Sequence, residues 1–329
     1  MKAGNGTRLF VNEVATRDGF QMESRFIPTE DKIALIDRLS GLGYAKIEVT
    51  SFTSAKAIPA LRDGEEVMNR IARRPGLVYT ALVPNLRGAE RALESRIDEF
   101  NIVMSVSETH NLANLRMTRV QSFAQLTGVI ALAKKAGVPV NVSLSCVFGC
   151  PMEGEVPLAT VQGWIDRFAA LEVQGITLCD TTGMAYPTQV REVCESVLAS
   201  HQALEWTAHF HNTRGMGLVN TVAAVEAGIR RLDMSLGGIG GCPYAPGATG
   251  NVATEDVVHM LQCMGYDTGM HLEGLIATAA ELEALVRHEL PAQVSRAGHR
   301  LTRHAPPPDF DDIVIRARER GQAHKELQP

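Results

Sequence analysis

The sequence predicts an α/β chain folded as a (β/α)8 TIM barrel, with a C-terminal helical extension and a charged tail. Three observations carry that prediction. Short β-branched runs alternate with longer helical patterns, as in a parallel sheet with crossover helices. No G-x-G-x-x-G follows the first run and opens a helix, which argues against a dinucleotide-binding open sheet. Unusual polar residues recur where the runs end, and in such barrels the C-terminal strand ends carry the active site.

Eight runs read as strands: Leu9–Val14, Lys46–Thr50, Val78–Val83, Glu99–Ser105, Pro139–Leu144, Gly175–Cys179, Trp206–His211 and Arg231–Ser235. Helical stretches lie between them. In Thr29–Leu42, Ile33, Ile36, Leu39 and Leu42 fall at helical spacing behind Thr29 as the expected cap. Met117–Ala136, Leu158–Leu171, Thr188–Leu198 and Met216–Ala227 read the same way, followed by Thr254–Met264 and a helix near Leu272–Glu289. The barrel domain is expected over residues 1–290. After it, Pro306-Pro307-Pro308 breaks the chain, and Asp309–Pro329 is either a flexible end or a further helix.

With 329 residues, 45% of them apolar, the chain can bury a large core. A net charge of −5 without a basic block leaves no electrostatic footprint for nucleic acid. No run of about 18 apolar residues suggests a membrane span, and the polar start does not resemble a secretory leader. Six cysteines in apolar or glycine-rich surroundings read as free thiols of a reducing cytoplasm. Cys146 and Cys150 lack the second pair that a zinc site needs.

The polar residues at the strand ends form a pattern. Arg17 and Asp18 follow the first strand, Glu48 closes the second, Asp180 follows the sixth, and His209 and His211 close the seventh. Residues i and i+2 of a strand share a face, so His209 and His211 can reach one ion. Asp18 adds a hard oxygen and Asn251 a neutral one, a donor set that suits Mg2+ or Mn2+. Arg17 keeps its charge and is suited to stabilising a developing oxyanion. Glu48 and Asp180 are read as groups that support a ligand or a base, or as members of structural ion pairs. The segment Gly237–Asn251 has six glycines in fifteen residues and centres on Cys242. It reads as a loop able to hinge over a ligand, with Cys242 as a candidate acid or base. Thr254-Glu255-Asp256 looks like a helix start with Thr254 as its cap.

Val11-Asn12-Glu13-Val14-Ala15-Thr16-Arg17-Asp18-Gly19-Phe20-Gln21, Ile47–Phe52, His209-Phe210-His211-Asn212-Thr213 and the Cys242 loop through Asp256 together resemble the hydroxymethylglutaryl-CoA lyase family, from about residue 9 to 290. The resemblance implies Asp18, His209, His211 and Asn251 as metal ligands, Arg17 and Gln21 at the substrate, and His209 and Cys242 in proton transfer. Glu48 and Asp180 would support them. It implies cleavage of an acyl-CoA to acetyl-CoA and acetoacetate with Mg2+ or Mn2+, in a homodimer without nucleic-acid or membrane partners.

Several positions depart from the family pattern. Met22 stands where Asn is usual, Ser24 where Lys is common, and Ser54-Ala55-Lys56-Ala57 replaces Ser-Pro-Lys-Trp. Asn212-Thr213-Arg214 replaces Asp-Thr-Tyr/Phe. The departures keep other substrates open, citramalyl-CoA or a longer 3-substituted 3-hydroxyglutaryl-CoA among them. A Claisen-type synthase is the more distant alternative.

Overall fold

The computed structural model describes residues 4–241 and 250–325. Eight parallel strands close in chain order into a barrel. They are β1 (Phe10–Glu13), β2 (Lys46–Ser51), β3 (Val78–Leu82), β4 (Glu99–Ser105), β5 (Val140–Ser145), β6 (Gly175–Asp180), β7 (Glu205–Phe210) and β8 (Arg231–Met234). All eight expected strands are present, with no end moved by more than one residue. The chain divides into two compact units, residues 1–296 and 297–329. The second contains the helix Phe310–Lys325, so the helical reading of the tail holds. Among the described residues no helix is long and apolar enough to cross a membrane.

The barrel sorts its residues by parity. Successive side chains of a strand point to opposite faces. One parity, with Val11, Ile47, Val49, Ile102, Val142, Ile176, Leu178, Phe210 and Leu232, is buried in the apolar core. The other parity fills the barrel interior with polar groups. At its N-terminal end Lys46 Nζ lies 2.7 Å from Glu99 and from Glu205, and Arg231 Nε lies 2.8 Å from Glu205. Buried charges in such a place are tolerated because each has an opposite partner within hydrogen-bond reach.

Four short helices escaped the periodicity reading: Gly64–Arg70, Leu86–Glu94, Glu108–Leu115 and Val294–Ala297. Each is under ten residues, too short for a 3.6-residue repeat to declare itself. Two expected caps are corrected. The helix Thr29–Leu39 starts behind Pro28, and the Thr29 hydroxyl donates to Asp63 instead. Thr254 begins its helix behind Ala253, and its hydroxyl donates to Glu13.

That last bond belongs to a buried cradle that positions the C-terminal end of the barrel. Glu13 accepts from the amides of Ala15 (2.8 Å) and Leu236 (2.9 Å), and from the Tyr44 and Thr254 hydroxyls. One carboxylate thereby ties the turn after β1 to the turn after β8. Beside it, Glu255 accepts from the Gly237 amide at 3.0 Å. Burial pushes the Glu255 carboxyl up to about 8 from its ordinary value of 4.5. In that window the folded chain holds a proton that the unfolded chain has released, so stability falls as pH rises from about 4.5 to 8. Glu255→Gln removes this dependence. Its stability relative to the parent chain is expected to rise with pH, by up to about 1.4 kcal/mol per unit. Urea titrations at several pH values read this directly, and parallel profiles would contradict the assignment.

Candidate active site

The turn after β1 carries two of the expected site residues. The amides of Arg17, Asp18 and Gly19 converge on the Val14 carbonyl at 3.1, 2.7 and 3.4 Å, making one wide turn. Such a local widening re-aims side chains at functional positions. Here it brings Asp18 to His209 and His211. One ligand atom from each of these three buried residues lies within 4.8 Å of the others. The two Nε2 atoms are 3.2 Å apart. His209 lies within β7, and His211 follows it by two residues on the same face.

Asn251 reaches the cluster from the far side of the glycine-rich segment. Gly250–Thr254 inserts between the ends of β7 and β8: Val252 donates to Phe210, Asn212 to Gly250, and Ser235 to Val252. The Asn251 amide nitrogen donates to Asp18 at 2.7 Å and to the Ile239 carbonyl at 3.0 Å. The two ends of the segment pass so closely that a Cβ at Gly250 would sit 2.4 Å from the Gly238 carbonyl oxygen. Cys242, with Pro243–Thr249, lies outside the described residues.

A cation fits this donor set. Asn251 Oδ1 and His211 Nδ1 are buried without a hydrogen-bond partner. His209 and His211 turn ring nitrogens toward each other, where lone pairs on both repel unless a proton or an ion lies between. Despite burial, Arg17 and the two imidazoles hold the Asp18 carboxyl below its ordinary value. Burial and the neighbouring His209 push His211 down to about 4, so it stays neutral at pH 7. An ionised carboxylate beside a neutral imidazole is what cation ligation requires.

Around the cluster the charges are fixed in a line. Arg17 donates from Nη1 to Asp18 (2.7 Å) and from Nε to Glu48 (2.6 Å). Gln21 donates to the same Asp18 oxygen at 3.0 Å. Glu48 is the third of six residues of β2 rather than its last, and it faces the barrel interior. His209 Nδ1 lies 3.6 Å from Asp233, and Asp233 accepts from Asn12 at 2.8 Å. Sequence reading missed Asp233; strand alternation could have put it on an inward position of β8, but its place opposite His209 is set by the register of the barrel.

Asp180 is placed differently. Parity turns Cys179 into the cavity and Asp180 away from it, where Asp180 accepts from the amides of Met184 (2.7 Å) and Ala185 (3.1 Å). Its contacts shape the turn after β6. Arg214, one of the departures from the family pattern, holds that turn by donating to the Thr182 and Gly183 carbonyls.

The cluster lies in a cavity of about 800 Å3. Its wall includes Arg17, Gln21, Ser143, Cys179, His209 and His211, and its rim includes Met22, Ser24, Phe26, Ala57 and Arg62. Arg62 stacks on the Phe26 ring at 3.5 Å and forms no ion pair among the described residues.

Comparison with known proteins places this geometry. The HMGL-like family model matches residues 8–282. A hydroxymethylglutaryl-CoA lyase of Bacillus subtilis is 44% identical over 286 residues, covering 87% of this chain and 96% of that protein. The (R)-citramalyl-CoA lyase of Chloroflexus aurantiacus is 36% identical, covering 87% and 93%. Among solved structures, an HMG-CoA lyase from Acinetobacter baumannii in complex with coenzyme A and 3-methylmalate superimposes with a TM-score of 0.88 at 46% identity, covering 93% of this chain and all of that one. By fold, by sequence and by the residues gathered at the barrel mouth, the chain belongs to the hydroxymethylglutaryl-CoA lyase family.

Proposed function

We propose that the protein cleaves 3-hydroxy-3-methylglutaryl-CoA to acetyl-CoA and acetoacetate in a divalent-metal-dependent reaction. The observation that carries the proposal is the buried Asp18–His209–His211 cluster, joined to Arg17 and Asn251 through their hydrogen bonds to Asp18. Asp18, His209, His211 and Asn251 would hold Mg2+ or Mn2+. Bound there, the ion would act as Lewis acid and template for the substrate's oxygens.

The chain's own groups divide the remaining work. In the bond-breaking step the 3-hydroxyl loses its proton, the C2–C3 bond breaks, and C2 of the departing acetyl-CoA gains a proton. The proton count therefore balances without a co-substrate. His209, backed by Asp233, is assigned to proton transfer at the hydroxyl, and Cys242 to proton return at C2. Arg17 supplies a fixed positive charge for the enolate oxygen as it forms. Glu48 holds the guanidinium in place, Gln21 steadies Asp18 beside the substrate, and Asp180 shapes the turn after β6.

The rim supports a nucleotide-bearing substrate. Arg17 and Arg62 are the two Lys or Arg residues lining the cavity among the described residues, and Arg17 is committed to Asp18 and Glu48. Arg62 remains for the phosphates of coenzyme A. A second reading, lysis of citramalyl-CoA or a bulkier relative, draws support from the Chloroflexus enzyme and from Met22, Ser24 and Ala57 at the cavity rim.

Acetyl-CoA release from a panel of 3-hydroxyacyl-CoA thioesters, with Mn2+ and after chelation, tests the reaction. Turnover is expected with metal and not without it, and silence on every thioester would overturn the reading. Cys242→Ala is expected to lower kcat by at least about 100-fold while Mn2+ affinity, read by titration, stays unchanged. Arg62→Met is expected to lower kcat/KM for the CoA thioester by about 3–5-fold. The same variant should leave the pantetheine thioester, which lacks the nucleotide, unaffected; equal losses on both would remove Arg62 from phosphate binding.

A further inference from the structure

We propose that Asn101 is a positioning residue for the lyase reaction, acting on Arg17 through Glu48. The inference rests on the lyase reading above and adds to it a residue on a strand that carries none of the groups assigned a role there. Asn101 stands on β4, buried inside the barrel. Its amide nitrogen donates to Glu48 Oε1 at 2.7 Å, while Glu48 Oε2 takes the Arg17 Nε at 2.6 Å. Each carboxylate oxygen of Glu48 thus has one dedicated partner.

The orientation of the Asn101 amide is set from behind. Its oxygen accepts from Asn141 Nδ2 at 3.0 Å and from Ser143 Oγ at 2.9 Å, both on β5. Asn141 Nδ2 also donates to Thr177 on β6 at 2.9 Å. A flipped amide would set its oxygen against the Glu48 carboxylate, which only accepts, and its N–H groups against the Asn141 N–H, so the nitrogen faces Glu48. A relay across β6, β5 and β4 therefore holds the Glu48 carboxylate on β2, and Glu48 holds the guanidinium. Without the Asn101 N–H, one Glu48 oxygen is buried without a donor and the carboxylate is free to turn. Arg17 would then keep its ion pair with Glu48 in a less fixed direction and be drawn more strongly toward Asp18 and the ion site, away from where the enolate oxygen forms.

Such a residue changes the transition state and leaves ground-state binding nearly untouched. Asn101→Leu is expected to lower kcat on the order of 10–100-fold, the effect of losing a buried hydrogen bond to a charged group. KM and Mn2+ affinity should stay within about 3-fold. Asn101→Ala, which removes the donor without adding a charge, should lose as much and serves as the reading if the leucine variant does not fold. In a Glu48→Gln background the Asn101 substitutions should cost little more, since both act along one chain. A kcat within about 2-fold of the parent, losses that add fully to Glu48→Gln, or a matching loss of Mn2+ affinity would each overturn the assignment. If the parent chain turns over no thioester, the lyase reading falls and the inference with it. If the parent is active and Asn101 is indifferent, the inference falls alone.

Discussion

Everything at the mouth of this barrel depends on the neutralisation of Arg17 by two carboxylates at once. Removing a charged side chain from water costs several kcal/mol unless a partner replaces the lost solvation. Arg17 meets that demand with Asp18 on one side and Glu48 on the other. The arrangement leaves Asp18 ionised for the two histidines and keeps the guanidinium at a defined place and angle. Removing any member would leave the others charged and buried, so the group holds together as one electrostatic unit.

The interior of the barrel exists to support that unit. Where many barrels fill their centre with branched apolar side chains, this one stacks polar groups from end to end. Lys46, Glu99, Glu205 and Arg231 close the N-terminal end as a neutralised cluster. Asn101, Asn141 and Thr177 pass hydrogen bonds across three strands toward Glu48. The Glu13 carboxylate does a related task outside the interior, binding the turn after β1 to the turn after β8. Rigid strands thereby set the position of groups that sit on loops, and preorganisation of this kind underlies electrostatic stabilisation of a transition state.

Much of this was legible before any coordinates. The eight strands follow from β-branched runs between helical repeats, and the His-x-His pair follows from strand parity. The elements that escaped were short or were decided by distant partners. Leu86–Glu94 has too few turns to show a period, and Thr29 and Thr254 look like caps until Asp63 and Glu13 take their hydroxyls. Asp180 and Arg214 sit next to site residues in sequence, yet strand parity and the turn after β6 direct them elsewhere.

Sequence by itself determined the chemistry on offer: a carboxylate, an arginine and two histidines at strand ends, and a glycine-rich segment carrying Cys242 and Asn251. Residue type and spacing suffice for that, because the two-residue repeat of a strand is a local property. Tertiary structure alone decided which groups act together. Asp233 behind His209, Asn101 behind Glu48 and Glu13 across two turns are pairings between residues far apart in the chain. They depend on barrel closure and register, which arise from the packing of all eight strands and are written in no single segment.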